Sequence, residues 1–344
     1  MASPKKNQKT KNNNISELRR DLVTGEWVLV AKGRAKRPHS KNKEQVEVDG
    51  NKESCPFEDP QASGNAPPVL EYKKGKEWSL QIIPNKYPAL SHLDSCGDIM
   101  QKGEYQVREG RGYHEVVITR DHDKHIALLS NKEVSEMVRA YHKRYKTLKE
   151  DKCIRYVSIF NNHGKSAGAS LAHPHSQILA TPVLPASIQR SLRGSNLYYR
   201  RNRKCVHCVM MGWEKKEKER IIFENNDFIV FCPFVSRVAF EVRIFPKKHE
   251  AYFEKTLQRE IESLAEALRV SLRALYDELE DPDYNFFLHT APVDERSYPH
   301  YHWHIEIRPK LLGALPAGFE LGTGIATTPI EPKKAAKYLR EEIK

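Results

Sequence analysis

The chain has 344 residues, of which 39% are hydrophobic and 9% aromatic, enough for a large core and two domains. No run approaches the eighteen apolar residues of a membrane span, and Met1 to Ser16 lacks the apolar stretch of a secretory signal, so a cytoplasmic protein with no membrane partner is expected. The formal charge of +12 invites a nucleic-acid reading, but much of the excess lies in short runs without interleaved aromatics, and no nucleic-acid partner is expected.

Lys5, Lys6, Lys9 and Lys11 fall in an acid-free Asn/Lys segment, and residues 1–15 are expected to be a disordered basic tail. Trp27–Val30 reads as a strand, Arg34 to Arg37 as a basic turn, and residues 38–68 as a long, turn-rich loop. The six cysteines, Cys55, Cys96, Cys153, Cys205, Cys208 and Cys232, are too few for a disulfide scaffold, and thiols are their expected state. His114 to Thr119 reads as a strand. Ser130 and Glu133 have the spacing of a capping box, after which Val134, Met137, Val138, Tyr141, Tyr145 and Leu148 recur on one helical face and predict a core-facing helix.

The stretch from Phe160 to Ile178 concentrates three imidazoles and three amide side chains between two apolar runs, Tyr156 to Phe160 and Ile178 to Ala180. In an extended segment His173, His175 and Gln177 share one face, and Pro174 holds His173 extended. A neutral imidazole can attack phosphorus and then serve as leaving group, which divides one transfer into two easier steps. Gln177 can donate to a phosphoryl oxygen without carrying charge. The glycine- and serine-rich lead-in from Gly164 to Ser170 predicts backbone amides that approach an anion.

The order repeats downstream. Phe240 to Phe245 corresponds to the strand at His114, and His249 to His122. Ile261, Leu264, Ala265, Leu268, Leu272, Leu275 and Leu279 mark a second helix, Tyr284 to Leu288 a strand, and His302-Trp-His-Ile-Glu-Ile307 echoes His173-Pro-His-Ser-Gln-Ile178. A helix over an antiparallel sheet, twice, predicts a duplicated α+β fold with halves at residues 16–190 and 191–344. Cys205-Val-His-Cys208 has metal-site spacing by itself. Ala317 to Gly324 is turn-rich, and a last helix is expected from Pro332 to Ile343.

Asn162-His163-Gly164 through Ser170, followed by H-P-H-S-Q, resembles the galactose-1-phosphate uridylyltransferase family, two-halved relatives of the histidine-triad proteins. Leu18-Arg19, Glu26-Trp27-Val28, Arg34 to Pro38, Pro84-Asn85 through Leu90, His302-Trp303-His304 and Gly318-Phe319-Glu320 match in the same order. A sister group, the ADP-glucose phosphorylases, shares the set. The resemblance implies that His175 is the nucleophile, with Gln177, Ser170, Gly168 and Asn162 around the phosphates, Asn85 near the nucleoside, and Arg34 and Arg37 near substrate phosphates. Glu320 is implied to contact sugar hydroxyls in a site completed across a homodimer. It further implies zinc as cofactor. One set is Cys55, Glu58, His122 and His173, in which Glu58 stands where the family commonly has a second cysteine and weakens the site. The other is Cys205, Cys208, His249 and His302, a closed set suited to structural zinc; His289 and His304 are alternatives matching a second metal position in some family members, with no clear glutamate after Gln177.

The activity so implied is uridylyl transfer from UDP-glucose to galactose 1-phosphate through a covalent histidine. The sister activity, ADP-glucose plus phosphate, is the alternative. A zinc-bearing nucleic-acid-binding protein is the rival of another class, and it leaves H-P-H-S-Q unexplained.

Overall fold

The computed structural model describes residues 15–32, 50–93, 95–311 and 316–343. The basic tail through Asn14, together with Arg34 and Arg37, lies outside the described residues.

The alternation around Pro174 decides the layers. Ser176, Ile178 and Ala180 turn one way into the core, where Ser176 Oγ accepts a 2.6 Å bond from Tyr141, and His175 and Gln177 turn the other way. In chain order the first half contains β1 (Glu17–Arg20), β2 (Trp27–Val30), β3 (Leu70–Lys74), β4 (Glu77–Pro84), β5 (Ile99–Lys102), β6 (Tyr105–Arg108), β7 (Tyr113–Thr119), α1 (Asn131–Lys149), β8 (Tyr156–His163) and β9 (His175–Thr181). There follow α2 (Ala186–Asn202), α3 (Val206–Glu217), β10 (Ile221–Glu224), β11 (Phe228–Phe231), β12 (Val242–Pro246), α4 (Gln258–Leu279), β13 (Tyr284–His289), β14 (His304–Pro309), α5 (Gly318–Thr323), β15 (Ala326–Thr328) and α6 (Pro332–Glu341).

Ten strands form one antiparallel sheet in the order β10-β11-β12-β14-β13-β8-β9-β7-β4-β3. Read outward from the β8–β13 junction, the first half runs β8-β9-β7-β4-β3 and the second β13-β14-β12-β11-β10, so each strand has a counterpart. The duplication is therefore built into a single sheet. Helices α1 and α4 cover the same face and pack on each other. Their stripes, Val134 through Leu148 and Ile261 through Leu275, are buried with Trp303, Ile305 and Ile307 of the second copy. The Ser130–Glu133 capping box closes the first turn of α1.

Three expectations are corrected. The strand expected from Phe240 begins at Val242, because Phe240 has φ 57° and bends the chain before the ladder starts. The turn-rich segment at Gly318 forms the short helix α5, whose first turn Glu320 caps by accepting from Ala317 N at 3.1 Å. Cys96 and Cys153 are disulfide-bonded rather than free thiols, tying the segment before β5 to the corner after α1, where Asp151 receives Arg111 and Tyr113. No helix among the described residues is long and apolar enough to cross a membrane.

Candidate active site

His175 is the first residue of β9 and is only 9% exposed. Its Nδ1–H donates to the carbonyl of His173 at 2.9 Å, an i to i−2 contact across the bend that precedes the strand at Pro174. This bond fixes the tautomer and leaves the Nε2 lone pair available. Burial pushes the imidazole below the ordinary histidine range, with the bond to His173 opposing, so the ring is neutral at neutral pH. Phe57 packs edge-on at 5.4 Å, and Asn161 Nδ2 donates to the His175 carbonyl at 2.7 Å.

Gln177 lies two residues along the same face. Its Oε1 is 2.8 Å from Nε2 of His114, on the neighbouring strand β7. Nδ1 of His114 accepts from Ala89 N at 3.0 Å, so the ring proton sits on Nε2 and is donated to Gln177. Asn85 stands beside them, its Nδ2 3.2 Å from the same nitrogen and its Oδ1 accepting from Tyr87 N at 2.8 Å. Sequence reasoning took His114 only as the start of a strand. Its role depends on cross-strand register, which no local spacing reports.

The lead-in loop is anchored from the second half. Asp283 accepts from Ser166 N at 2.7 Å and from the Ser166 hydroxyl, while Asn285 Nδ2 bonds both Asn162 Oδ1 and Ala167 O at 2.8 Å. Gly164 has φ 79° and Gly168 φ 91°. A Cβ on Gly164 would stand 1.8 Å from Asp283 Oδ1. The expectation that this loop offers amides to an anion is corrected for four of them. The amides of Ser166, Ala167, Gly168 and Ala169 donate to Asp283, Gly164 and Lys165. Ser170 is exposed at the end of the loop, and Asn162 and Gly168 are adjacent, a Cβ on Gly168 lying 3.8 Å from Asn162 Nδ2. Asn162, His173 and His175 line one cavity of about 340 Å³, and Glu320, capping its own helix, is not among its walls.

Of the two expected metal sets the second converges whole, and the first through three of its four residues, Cys55, His122 and His173, without Glu58. In the second half the ligand atoms of Cys205, Cys208, His249 and His302 all lie within 4.8 Å of one another, with Cys208 Sγ 3.3 Å from His249 Nδ1 and 3.5 Å from His302 Nδ1. The hydrogen bond from the Cys208 thiol, followed by those from His249 and His302, holds Cys205 far below the ordinary thiol value; the thiolate so formed pushes Cys208 up. His302 Nε2 donates to Pro246 O at 2.9 Å, which aims Nδ1 at the thiols. Two sulfurs and two such nitrogens fit zinc.

In the first half Cys55, His122 and His173 converge likewise, and His173 Nε2 donates to Thr119 O at 2.8 Å. Thr119 and Pro246 both close the equivalent strands. Glu58 Oε1 is 2.9 Å from His122 Nδ1 and 3.7 Å from His173 Nδ1, but Oε2 also accepts from Arg120 at 3.1 Å. A carboxylate shared with an arginine is a weaker donor than a thiolate, so this set fits a divalent ion less tightly.

His304 copies His175, its Nδ1 donating to His302 O at 3.1 Å. It meets His289 and Glu306 in a third group, and Glu306 is the carboxylate that the residues after Gln177 do not supply. Arg243 and Arg308 flank Glu306 at 3.4 and 2.6 Å, so its charge is already matched. His302 belongs to the cysteine set, leaving His289 and His304 without it.

A two-halved histidine-triad-like sheet carrying a neutral, carbonyl-oriented histidine beside an amide defines a nucleotidyl- or phosphoryl-transfer class. The family model described as galactose-1-phosphate uridyl transferase, N-terminal domain, matches residues 5–185. An ADP-glucose phosphorylase of Arabidopsis thaliana is 34% identical over 335 residues, 96% of this chain and 93% of that one. A galactose-1-phosphate uridylyltransferase of Thermotoga maritima is 32% identical over 337 residues, 95% of this chain and 98% of that one. A crystal structure of the Arabidopsis ADP-glucose phosphorylase with bound ADP-glucose superposes with TM-score 0.82 at 32% identity, covering 95% of this chain and 99% of that one. The chain belongs to the galactose-1-phosphate uridylyltransferase family.

Proposed function

We propose that the protein is a nucleotidylyltransferase working through a covalent nucleotidyl-histidine, moving uridylyl from UDP-glucose to galactose 1-phosphate. The observation that carries this is His175, whose Nδ1–H is committed to the His173 carbonyl at 2.9 Å while Nε2 keeps its lone pair. Nε2 attacks the α-phosphorus; the P–N bond forms as the P–O bond to glucose 1-phosphate breaks. A phosphate oxygen of galactose 1-phosphate then attacks the same phosphorus, the P–N bond breaks, and UDP-galactose leaves. The ring gains positive character in the intermediate, and the His173 carbonyl stabilises it through Nδ1–H. Because the leaving group is already a stable anion, the residues position and neutralise rather than protonate.

Gln177, its oxygen occupied by His114, offers its amide nitrogen to a nonbridging oxygen. Asn162, Gly168 and Ser170 surround the phosphates, Asn85 approaches the nucleoside, and Arg34 and Arg37 approach the substrate phosphates. Zinc, when bound at the two Cys/His sets, is structural: it fixes the rings of His173 and His302. Residues 16–190 form the catalytic half and 191–344 the second half. The protein works in the cytoplasm as a homodimer, Glu320 reaching the sugar of the neighbouring subunit from α5, where Phe319 and Leu321 are 47% and 76% exposed.

A second reading keeps His175 and changes the partners to ADP-glucose and inorganic phosphate. It rests on the 34% identity to the Arabidopsis phosphorylase. The deciding experiment is turnover of the two substrate pairs side by side. UDP-galactose from the first pair supports the uridylyltransferase and ADP from the second the phosphorylase; absence of both products overturns nucleotidyl transfer.

A further inference from the structure

Beneath the lead-in loop a group of side chains takes no part in the transfer described above. His163 ends β8, His125 precedes α1, and Asp281 lies in the turn between α4 and β13. His163 Nε2 is 3.0 Å from Asp281 Oδ1, and His125 Nε2 is 3.4 Å from the same oxygen. The two rings lie 4.3 Å apart, and His163 also stacks on Tyr284 at 4.8 Å.

A histidine–aspartate ion pair accounts for His163 but not for His125. The His125 ring is buried, 6% exposed, and neither nitrogen makes a hydrogen bond. A buried polar group left so costs roughly 1–3 kcal/mol, and native structures rarely tolerate one without a bound partner. The donors are also spaced for an ion. Ligands about 2.0–2.1 Å from a tetrahedral centre lie about 3.3 Å from each other, close to the two separations observed. All three ligand atoms fall within 4.8 Å of one another, as in the two cysteine-containing sets. The chain holds Asp281 in place through two successive left-handed residues, Glu280 at φ 54° and Asp281 at φ 57°.

We propose that His125, His163 and Asp281 form a third metal site, taking an imidazole-preferring first-row divalent cation of the zinc or iron(II) class rather than magnesium or calcium. Three protein ligands leave a coordination position open. The same residues line the cavity of about 340 Å³ that His175 and Asn162 border, so the open position serves water or an anionic oxygen there. The ion joins the end of β8 to the α4–β13 turn, and so joins the two halves under the loop. This site does not depend on the choice of nucleotide.

The test is cobalt stoichiometry. Metal-stripped, full-length protein is dialysed to equilibrium with Co²⁺, and bound cobalt is counted while thiolate-to-cobalt absorption is recorded as the signature of the cysteine sites. The wild type is expected to hold one more cobalt per chain than either His125→Gln or Asp281→Asn, with unchanged thiolate absorption; Cys208→Ser instead loses a part of that absorption. Asp281, 47% exposed in its side chain, allows a variant that keeps the fold. Equal cobalt counts in the wild type and both variants overturn the site, as does a deficit accompanied by a matching loss of thiolate absorption.

Discussion

His114 donates from Nε2 to Oε1 of Gln177 across 2.8 Å, and this bond decides which end of the glutamine amide meets the substrate. Because Ala89 N–H occupies the other ring nitrogen, the proton cannot move to Nδ1, and Gln177 is left with its NH₂ free to donate. Losing one neutral hydrogen bond costs about 0.5–1.5 kcal/mol, so His114→Ala is expected to lower kcat up to about tenfold. In a Gln177→Ala background the same substitution should add little. Steady-state rates of the four proteins check this; full additivity would show that His114 acts elsewhere.

Gly164 sits at φ 79° with Asp283 where its side chain would be. Gly164→Ala either holds this glycine-favouring φ, at roughly 1–3 kcal/mol of strain, or displaces the loop from Asp283. The expected result is a KM for the nucleotide sugar raised by tenfold or more, with the unfolding midpoint lowered by a few degrees at most. An unaltered KM would show that the loop does not contact substrate.

At the first metal set Glu58 shares its carboxylate between His122 and Arg120. Glu58→Cys supplies a thiolate without that competition, and zinc affinity measured by chelator competition is expected to rise by at least tenfold. At the second set, Cys208→Ser or exhaustive chelation is expected to lower the melting temperature by several degrees, as loss of a structural ion does. A chelated protein with unchanged melting behaviour would show that the Cys205 set holds no structural zinc.

His289 titrates against stability. Burial pushes it down to about 3, with Glu306 opposing and His304, Arg308 and Arg243 facing it. In the unfolded chain it titrates near 6.5, so between these values the unfolded state binds the extra proton. The contribution is complete above about pH 6.5 and is lost as pH falls, on the order of 5 kcal/mol at most. Denaturant unfolding at pH 7.5 and 5 should show a smaller loss for His289→Gln than for the wild type. Equal losses would assign the acid sensitivity to other groups.

What the sequence made legible was local. The stripe from Val134 to Leu148, the Ser130 cap, the shared face of His173 and His175 and the Cys205-x-x-Cys208 spacing each follow from a repeat of a few residues, and backbone geometry turns such repeats into faces. The carbonyl-to-ring bond at His175 could be anticipated only as a possibility, since it depends on the bend at Pro174. The rest is long-range. Phe287 pairs with Phe160 to fuse two half-sheets into one, His114 meets Gln177 through strand register, and Asp281 reaches His163 across more than a hundred residues. Cys96 and Cys153, 57 residues apart, carry no spacing signal for their bond. Helices α2 and α3 were not anticipated; α2 places its basic residues Arg200 and Arg201 in its last turn, where they complement the helix dipole.

The most direct test of the central claim is the intact mass of the protein after incubation with UDP-glucose or ADP-glucose and no acceptor, under conditions that preserve phosphoramidates, with His175→Ala as control. An acid-labile adduct of nucleoside-monophosphate size on the wild type and none on the variant is the expected result, uridylyl or adenylyl according to the true donor. No adduct from either nucleotide sugar, or an equal adduct on His175→Ala, would contradict a covalent nucleotidyl-His175.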